Sequence, residues 1–225
     1  MCAAALVAHA ARGRASALFG PSVWRGTRDR RAVALTFDDG PSESTPGLLE
    51  VLEREAAPAT FFQCGFHVDR LPQVARQAAE AGHEIGNHTW SHAILCRCSP
   101  RAIHRELERT QRVIENATGR PPRLFRAPYG VRWFGLRPAQ RRLGLLGVMW
   151  TTIALDWKLP AARIVSRLLA GACPGAIFCL HDGRGLATRP DIGETLEAVR
   201  RLIPALRARG FRLETVSQIL CPTTT

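Results

Sequence analysis

The chain has 225 residues, a length typical of a single domain, and its composition of 46% hydrophobic and 22% charged residues is that of an ordinary globular protein. It contains no apolar run of about eighteen residues, so the sequence predicts no transmembrane helix. The net charge of +12 comes from 31 basic and 19 acidic residues that are dispersed along the chain. Dispersed charge is typical of a solvated basic surface, with attraction to an anionic polymer as the functional alternative. No motif indicates nucleic-acid binding.

The N-terminal region, residues 1–30, is expected to be a tail or a poor signal-like segment. Residues 2–11 are apolar, but no basic residue precedes them, and Arg12 and Arg14 follow them. That order is the reverse of a secretory signal. The seven cysteines are an odd number without regular spacing, which argues against a disulfide-stapled fold.

Strand-like and helix-like segments alternate along the rest of the chain. Apolar β-branched runs indicate strands, and amphipathic stretches with Pro near their start and Gly past their end indicate helices. In chain order they are strand 32–37, helix 45–55, strand 59–64, a helix from Pro72 to before Gly82, strand 83–86, a helix from Ser99-Pro100 to before Gly119, strand 124–126, strand 145–152, helix 161–170, strand 176–180, helix 194–209 and strand 211–215.

This alternation predicts an α/β fold with a parallel sheet and right-handed crossovers. About seven parallel strands in one domain fit a compact, distorted (β/α) barrel. An open doubly wound sheet is the alternative. No glycine-rich phosphate loop follows the first strand, which disfavours a nucleotide-binding use of such a sheet.

Reactive side chains follow several of the predicted strands. They are Asp38 and Asp39 after the first strand, His88 and His92 after the third, Arg126 at the end of the fourth, Asp156 after the fifth and His181 after the sixth. In a barrel the carboxyl ends of the strands share one face, where active sites gather. We therefore expect these residues to meet in one pocket.

Each of these signals is weak alone. The spacing His88-x3-His92 is common for metal ligands but also arises by chance, and Asp38-Asp39-Gly40-Pro41 is also typical of a turn. Together they are more specific, because one carboxylate and two imidazoles make the three protein ligands of an open, zinc-like catalytic site. A second carboxylate beside the metal provides a base and a separate histidine an acid, which is what amide hydrolysis needs.

At this level of detail the chain resembles the polysaccharide deacetylases of the NodB-homology type, carbohydrate esterase family 4. The resemblance runs from about residue 33 to residue 219 and rests on five motifs in the family's order, which together are highly specific. They are 36–40 (TFDDG), 88–92 (HTWSH), 126–130 (RAPYG), 156–157 (DW) and 180–182 (LHD). The resemblance implies a NodB-homology deacetylase domain at 31–221 with a distorted (β/α) barrel.

The resemblance also implies roles for individual residues. One divalent metal ion, most often Zn²⁺ with Co²⁺ or Ni²⁺ as alternatives, is held by Asp39, His88 and His92. The remaining roles are Asp38 as catalytic base positioned by Arg126, His181 as acid hydrogen-bonded to Asp156, the backbone N–H of Tyr129 as an oxyanion donor, and Trp157 and Leu180 as walls near the acetyl methyl. One departure stands out: Ile153 occupies a position that is often acidic in the family.

The sequence therefore predicts a metal-dependent hydrolase that removes N-acetyl groups from N-acetylglucosamine-containing polysaccharide or oligosaccharide, such as chitin oligomers or peptidoglycan. We expect a monomer that acts on an N-acetylated glycan, without nucleic acid, at an extracytoplasmic or cell-envelope location, although the N-terminus contains no convincing signal peptide. One alternative is a related metal-dependent amidohydrolase acting on a small non-sugar amide in a closed pocket. The other is a non-catalytic carbohydrate-binding protein, against which the complete set of ligands, base and acid argues.

Overall fold

A computed structural model describes residues 3–222. Within this range all strand pairs are parallel, and nine strands form one sheet in the order β1-β6-β5-β4-β3-β2-β8-β7, with β9 paired to β2. The strands are β1 Ser22–Val23, β2 Ala32–Asp38, β3 Thr60–Gln63, β4 Glu84–Asn87, β5 Leu124–Phe125, β6 Leu146–Val148, β7 Thr152–Ile153, β8 Ala176–His181 and β9 Arg212–Leu213.

Helices connect most of these strands, and many of them present an apolar face to the sheet. They are α1 Ala3–Arg12, α2 Thr45–Arg54, α3 Gly65–Arg70, α4 Pro72–Glu80, α5 Pro100–Thr118, α6 Leu136–Leu143, α7 Ala161–Ala170, α8 Gly193–Ala208 and α9 Val216–Leu220, with short 3₁₀ turns at Leu95–Arg97 and Pro128–Gly130. None of the helices in the described range is both long and apolar enough to cross a membrane.

Strand β2 is the centre of the fold. All seven of its residues are buried, and it pairs with β3, β8 and β9. Val33, Leu35 and Phe37 belong to the main apolar cluster, while Ala32 and Ala34 belong to a second one. A strand covered on both faces needs a near-continuous apolar run, which its sequence provides. At its buried carboxyl end, β2 ends with Asp38, the first acidic residue of the site.

The predicted distorted (β/α) barrel is confirmed, with nine short strands instead of about seven. The segment predicted as one strand over 145–152 is two strands, β6 and β7, which pair with different neighbours. It breaks after Val148, where the carbonyls of Val148 and Met149 accept hydrogen bonds from the Arg126 guanidinium. Within residues 3–222, β1 and β7 are the two ends of the strand order and do not pair, so the barrel is open.

Residues before 31, predicted to be a tail or a poor signal-like segment, contain α1 and β1. Strand β1 extends the sheet beside β6, and the ring of Phe19 packs on that of Trp133 with 5.5 Å between centroids. The buried Arg132 donates hydrogen bonds to the carbonyls of Gly13 and Ser16. The described part of this region is thus packed on the barrel, while the division of the chain at residue 30 stays a prediction.

Because the sheet is buried on both faces, truncating a side chain in its core is expected to destabilise the protein. Phe61 on β3 is fully buried and stacks on Phe37 with 5.2 Å between ring centroids. Phe61→Ala is expected to lower the free energy of unfolding by about 3–5 kcal/mol, because it removes buried apolar surface and leaves a cavity. Phe134→Ala is the matched control: its side chain is 61% exposed, so its effect is expected to be at least threefold smaller. Urea unfolding monitored by circular dichroism measures both, and equal losses would contradict this description of the core.

Candidate active site

Three potential metal ligands meet at the carboxyl ends of β2 and β4. Asp39 follows β2 directly, and His88 follows β4 directly, with His92 four residues later. The Asp39 Oδ1 atom lies 3.2 Å from His88 Nε2 and 3.0 Å from His92 Nε2. Asp39 and His92 both have φ in the left-handed region, +74° and +53°. Such conformations are costly for residues with a side chain, and here they turn both ligands toward one point.

This arrangement fits a divalent cation. In a tetrahedral site with bonds of about 2.0–2.1 Å, neighbouring ligand atoms are about 3.3 Å apart, close to the separations observed. His88 Nδ1 lies 2.8 Å from the carbonyl oxygen of Arg126, which as an acceptor fixes the proton on Nδ1 and leaves Nε2 available. Asp39 Oδ2 accepts a hydrogen bond of 2.8 Å from the backbone N–H of Gly185, so that Oδ1 is the ligand atom.

Electrostatics favour the ionised form of Asp39. Burial alone raises the pKa of this carboxyl group. The hydrogen bonds from His88 and His92, together with their charge, outweigh that effect and bring the pKa of Asp39 well below its usual value. An ionised carboxylate between two imidazoles supplies the negative charge that a bound cation needs.

Asp38 forms an ion pair with a buried arginine. Arg126 is fully buried, and its Nη1 donates to Asp38 Oδ1 at 2.7 Å and to Thr36 Oγ1 at 2.6 Å. Its Nε donates to the carbonyl of Val148 at 3.1 Å. The guanidinium carbon also lies 4.2 Å from the centroid of the Phe62 ring. The second oxygen of Asp38, Oδ2, remains for the cavity.

His181 and Asp156 form a second pair on the other side of the site. His181 Nδ1 lies 2.8 Å from Asp156 Oδ1, and the backbone N–H of His181 donates to Asp156 Oδ2 at 2.8 Å. Thr195 Oγ1 on α8 donates to the same Oδ2 at 2.8 Å. Burial lowers the pKa of His181, but the hydrogen bond and charge of Asp156 outweigh burial, and the pKa of His181 is raised.

Asp182 anchors the loop after β2. Thr45 Oγ1 donates to its side chain at 2.7 Å and Ser42 Oγ to its carbonyl at 2.6 Å. A Cβ atom at position 40 would lie 2.1 Å from Asp182 Oδ2, which explains why this position is Gly40. Burial raises the pKa of Asp182 to about 7. Asp182 therefore shapes the site through these contacts. The sequence motif had assigned no role to this residue.

One cavity of about 630 Å³ lies at the carboxyl ends of the strands. It contains the three potential metal ligands, Asp38 and His181. Two exposed aromatic side chains line it, Tyr129 with 62% and Trp157 with 41% of the residue surface accessible. The Trp157 ring packs edge-on against His181 with 5.0 Å between centroids, and Tyr129 packs in the same way against His92 at 4.7 Å. Two arginines, Arg12 and Arg184, add positive charge to the wall.

A family model described as polysaccharide deacetylase matches residues 25–148. The chain belongs to the polysaccharide deacetylase family. It is 40% identical over 198 residues to the chitooligosaccharide deacetylase of Bradyrhizobium sp. (strain ANU 289), covering 84% of this chain and 90% of that protein. Among solved structures, it superposes on the Bc1960 peptidoglycan N-acetylglucosamine deacetylase with a TM-score of 0.83 and 28% identity, over 88% of this chain and 92% of that one.

Another solved structure similar to this chain is that of a pseudoenzyme. The fold superposes on BA3943, a family 4 carbohydrate esterase pseudoenzyme from Bacillus anthracis, with a TM-score of 0.82 and 27% identity, over 91% of this chain and 70% of that one. The fold therefore occurs both in enzymes and in a pseudoenzyme.

One residue that the resemblance assigned to the deacetylase pocket is placed elsewhere. Leu180 is fully buried in the main apolar cluster and does not line the cavity. Side chains alternate along a strand, so that Leu180 on β8 points away from the face that carries His181. Cys179, two residues before His181, lies in the wall instead, and Ile153, where an acidic residue is frequent in the family, adds an apolar patch.

Sequence reasoning also missed several supporting residues. Thr36 could have been predicted, because it lies two residues before Asp38 on β2, and residues two apart share one face of a strand. Thr195 and Arg12 could not have been predicted, because Thr195 lies on a distant helix and Arg12 at the end of α1. Arg184 and Trp150 also lie in the wall without a recognisable motif.

The ligand cluster generates a metal-binding prediction. We expect the purified protein to hold one divalent cation, and His92→Ala to lower its affinity by at least 100-fold, because a three-ligand site loses one ligand. His104→Ala on α5 is the matched control: His104 lies 3.8 Å from Glu108 and outside the cavity, and we expect unchanged metal content. Elemental analysis after dialysis against a weak chelator measures both variants. Equal metal content in the two variants would exclude His92 as a ligand.

Proposed function

We propose that the protein is a metal-dependent N-deacetylase that removes acetyl groups from N-acetylglucosamine-containing glycans, with chitin oligomers and peptidoglycan as the candidate substrates. One observation carries the proposal: a three-ligand cluster, an arginine-paired carboxylate and an aspartate-paired histidine all line one open cavity. Those are the parts that hydrolysis of an unactivated amide needs.

Asp39, His88 and His92 would hold the cation. Two imidazoles and one carboxylate suit Zn²⁺, and Co²⁺ or Ni²⁺ also match this set of donors. When bound, the cation supplies Lewis-acid polarisation of the acetyl carbonyl and makes water nucleophilic near neutral pH.

Asp38 acts as the general base in this proposal. Arg126 donates to Oδ1, which leaves Oδ2 to take a proton from the attacking water. The ion pair with Arg126 holds the carboxylate of Asp38 in a fixed orientation. The backbone N–H of Tyr129 is assigned to the negatively charged oxygen that develops on the acetyl carbon, a contact worth about 3 kcal/mol in comparable sites.

His181 acts as the general acid. The amine of the sugar is a poor leaving group as an anion, so it must receive a proton as the carbon–nitrogen bond breaks. With Nδ1 bonded to Asp156, Nε2 of His181 is the atom that delivers this proton. The raised pKa of His181 favours the protonated form required before the reaction.

The shape of the cavity favours a glycan over a small amide. Its volume exceeds that of an acetamide group many times over, and Tyr129 and Trp157 present exposed rings at its rim. Aromatic rings with one wet and one apolar face suit the faces of sugar rings. Trp157 packs against the acid, and Ile153 pairs with Cys179 across β7 and β8. We assign both apolar side chains to the acetyl methyl. The non-catalytic alternative is disfavoured by the complete set of ligands, base and acid.

A polymeric substrate also points to action outside the cytoplasm, at the cell envelope. The relatives support this proposal through their names, which refer to chitooligosaccharide and peptidoglycan. We propose a monomeric enzyme, since the cavity is completed by residues of a single chain.

Acetate release tests the activity. Protein supplied with Zn²⁺ is expected to release acetate from N-acetylglucosamine oligomers or purified peptidoglycan, but not from a small aromatic acetamide. Asp38→Asn is expected to keep its metal and lower kcat/KM by about 10²–10⁴-fold, the usual contribution of a general base. Asp69→Asn, an exposed carboxylate on α3, is the matched control and should retain activity. Absence of acetate from every glycan, or full activity of Asp38→Asn, would refute the respective assignment.

The pair of His181 and Asp156 makes a pH prediction. Because Asp156 raises the pKa of His181, the acid is protonated below that pKa and activity falls as the pH rises through it. Asp156→Asn removes the negative charge, so the alkaline limb of the pH profile of kcat/KM is expected to move to lower pH. The control is again Asp69→Asn, with an unchanged profile. An alkaline limb that stays in place in Asp156→Asn would show that it does not report His181.

A further inference from the structure

A second cluster of metal-ligating side chains lies beside the first. It consists of Asp38, Cys179 and His181, whose ligand atoms lie within 4.8 Å of one another. Cys179 and His181 are two residues apart on β8 and therefore share one face of the strand. The register of β8 against β2 pairs Asp38 with His181 and Thr36 with Cys179, which brings all three side chains to the same wall of the cavity.

We propose that Asp38, Cys179 and His181 form a second, inhibitory binding site for a thiophilic divalent cation such as Zn²⁺ or Cd²⁺. Cys179 Sγ lies 3.5 Å from Asp38 Oδ2. A tetrahedral zinc with a bond of about 2.3 Å to sulfur and about 2.1 Å to oxygen separates these two ligand atoms by about 3.6 Å. The pair is thus already spaced as two ligands of one cation.

Each member of the cluster has one ligand atom left over after its structural contacts. Asp38 Oδ1 is bonded to Arg126, and His181 Nδ1 to Asp156. Nε2 of His181 therefore remains, and Oδ2 of Asp38 accepts only the long contact of 3.5 Å from Cys179 Sγ among the described residues. Cys179 is buried in the wall of the cavity and donates this long hydrogen bond to Asp38. These three ligand atoms make no stronger contact than this one, so they form an open metal site that leaves a fourth position for a solvent molecule.

The thiol sets the selectivity of this site. Burial raises the pKa of Cys179, so the free thiol keeps its proton. Binding must break the S–H bond as the S–cation bond forms, and the proton passes to the buffer. Cations that favour sulfur make this exchange, whereas Mg²⁺ and Ca²⁺ favour oxygen ligands and are excluded. Cys179 therefore makes this site respond to soft cations only.

Occupancy of this site is expected to stop the reaction. It would take Asp38 and His181, the base and the acid of the proposed function, out of use. The inhibitory effect rests on that proposed function, whereas binding of the second cation does not. Excess Zn²⁺ is thus expected to inhibit an enzyme that one equivalent of Zn²⁺ activates.

Binding is tested first, in the His92→Ala background where the first cluster is disabled. Titration with Cd²⁺ is expected to produce a thiolate-to-cadmium absorption band in the ultraviolet that saturates at one equivalent. Cys179→Ser in this background should abolish the band, and Cys173→Ser, a half-buried thiol away from the cavity, should keep it. With the first cluster intact, equilibrium dialysis against Zn²⁺ should give two equivalents, and one for Cys179→Ser. A band that survives Cys179→Ser, or a single equivalent in the unmodified protein, would overturn the proposal.

Inhibition is tested on the active enzyme loaded with one equivalent of Zn²⁺. Added Zn²⁺ is expected to inhibit it, and Cys179→Ser and Cys179→Ala should need at least about tenfold more Zn²⁺ for half-inhibition, each relative to its own uninhibited rate. Thermal melting confirms that both variants fold. Unchanged inhibition in both folded variants would overturn the inhibitory role. A protein without deacetylase activity that still shows the Cys179-dependent band would refute the proposed function and leave the second site standing.

Discussion

The buried guanidinium of Arg126 is the constraint on which the rest of the site depends. Removing a charge from water costs several kcal/mol, and this charge is fully buried inside the barrel. Four hydrogen bonds compensate it, two to β2 residues Thr36 and Asp38 and two to carbonyls at the end of β6. The carbonyl of Arg126 itself accepts from His88 Nδ1. One residue therefore holds the proposed base, the end of a neighbouring strand and the tautomer of a metal ligand.

A second constraint is the tight backbone at the mouth of the barrel. Among residues 3–222, six residues other than glycine have positive φ, and five of them lie in loops of the site: Asp39, Thr89, His92, Tyr129 and Leu155. Each such conformation costs on the order of 1 kcal/mol or more and persists only where its surroundings enforce it. Side chains that follow a strand must turn back at once to reach a common point. The anchoring of the β2 loop by Asp182 and the close packing at Gly40 enforce that turn.

Local signals made much of this fold predictable from sequence. Helix α5 begins at Pro100, after Ser99 accepts a hydrogen bond from the Ala102 N–H, and ends before Gly119, whose φ is +75°. Those caps depend on nearby residues only. The break between β6 and β7 depends on Arg126, which follows β5 and is distant in sequence, and β1 is only two residues long, so neither feature has a local signature. Convergence of the reactive side chains followed from strand ends. The burial of Leu180 in the main apolar cluster follows from strand parity, because Leu180 and His181 are neighbours on β8 and point to opposite faces.

The two chemical halves of the site come from different parts of the chain. The family match, residues 25–148, contains the three-ligand cluster, Asp38 and Arg126. The proposed acid, its partner Asp156 and the two arginines of the cavity wall lie outside that range. The direct pairing of Asp38 with His181 across β2 and β8 joins the halves at the level of the backbone. Any displacement of β8 along β2 by one residue would turn His181 away from the cavity. The hydrogen-bond register of the central strand therefore sets the distance between base and acid.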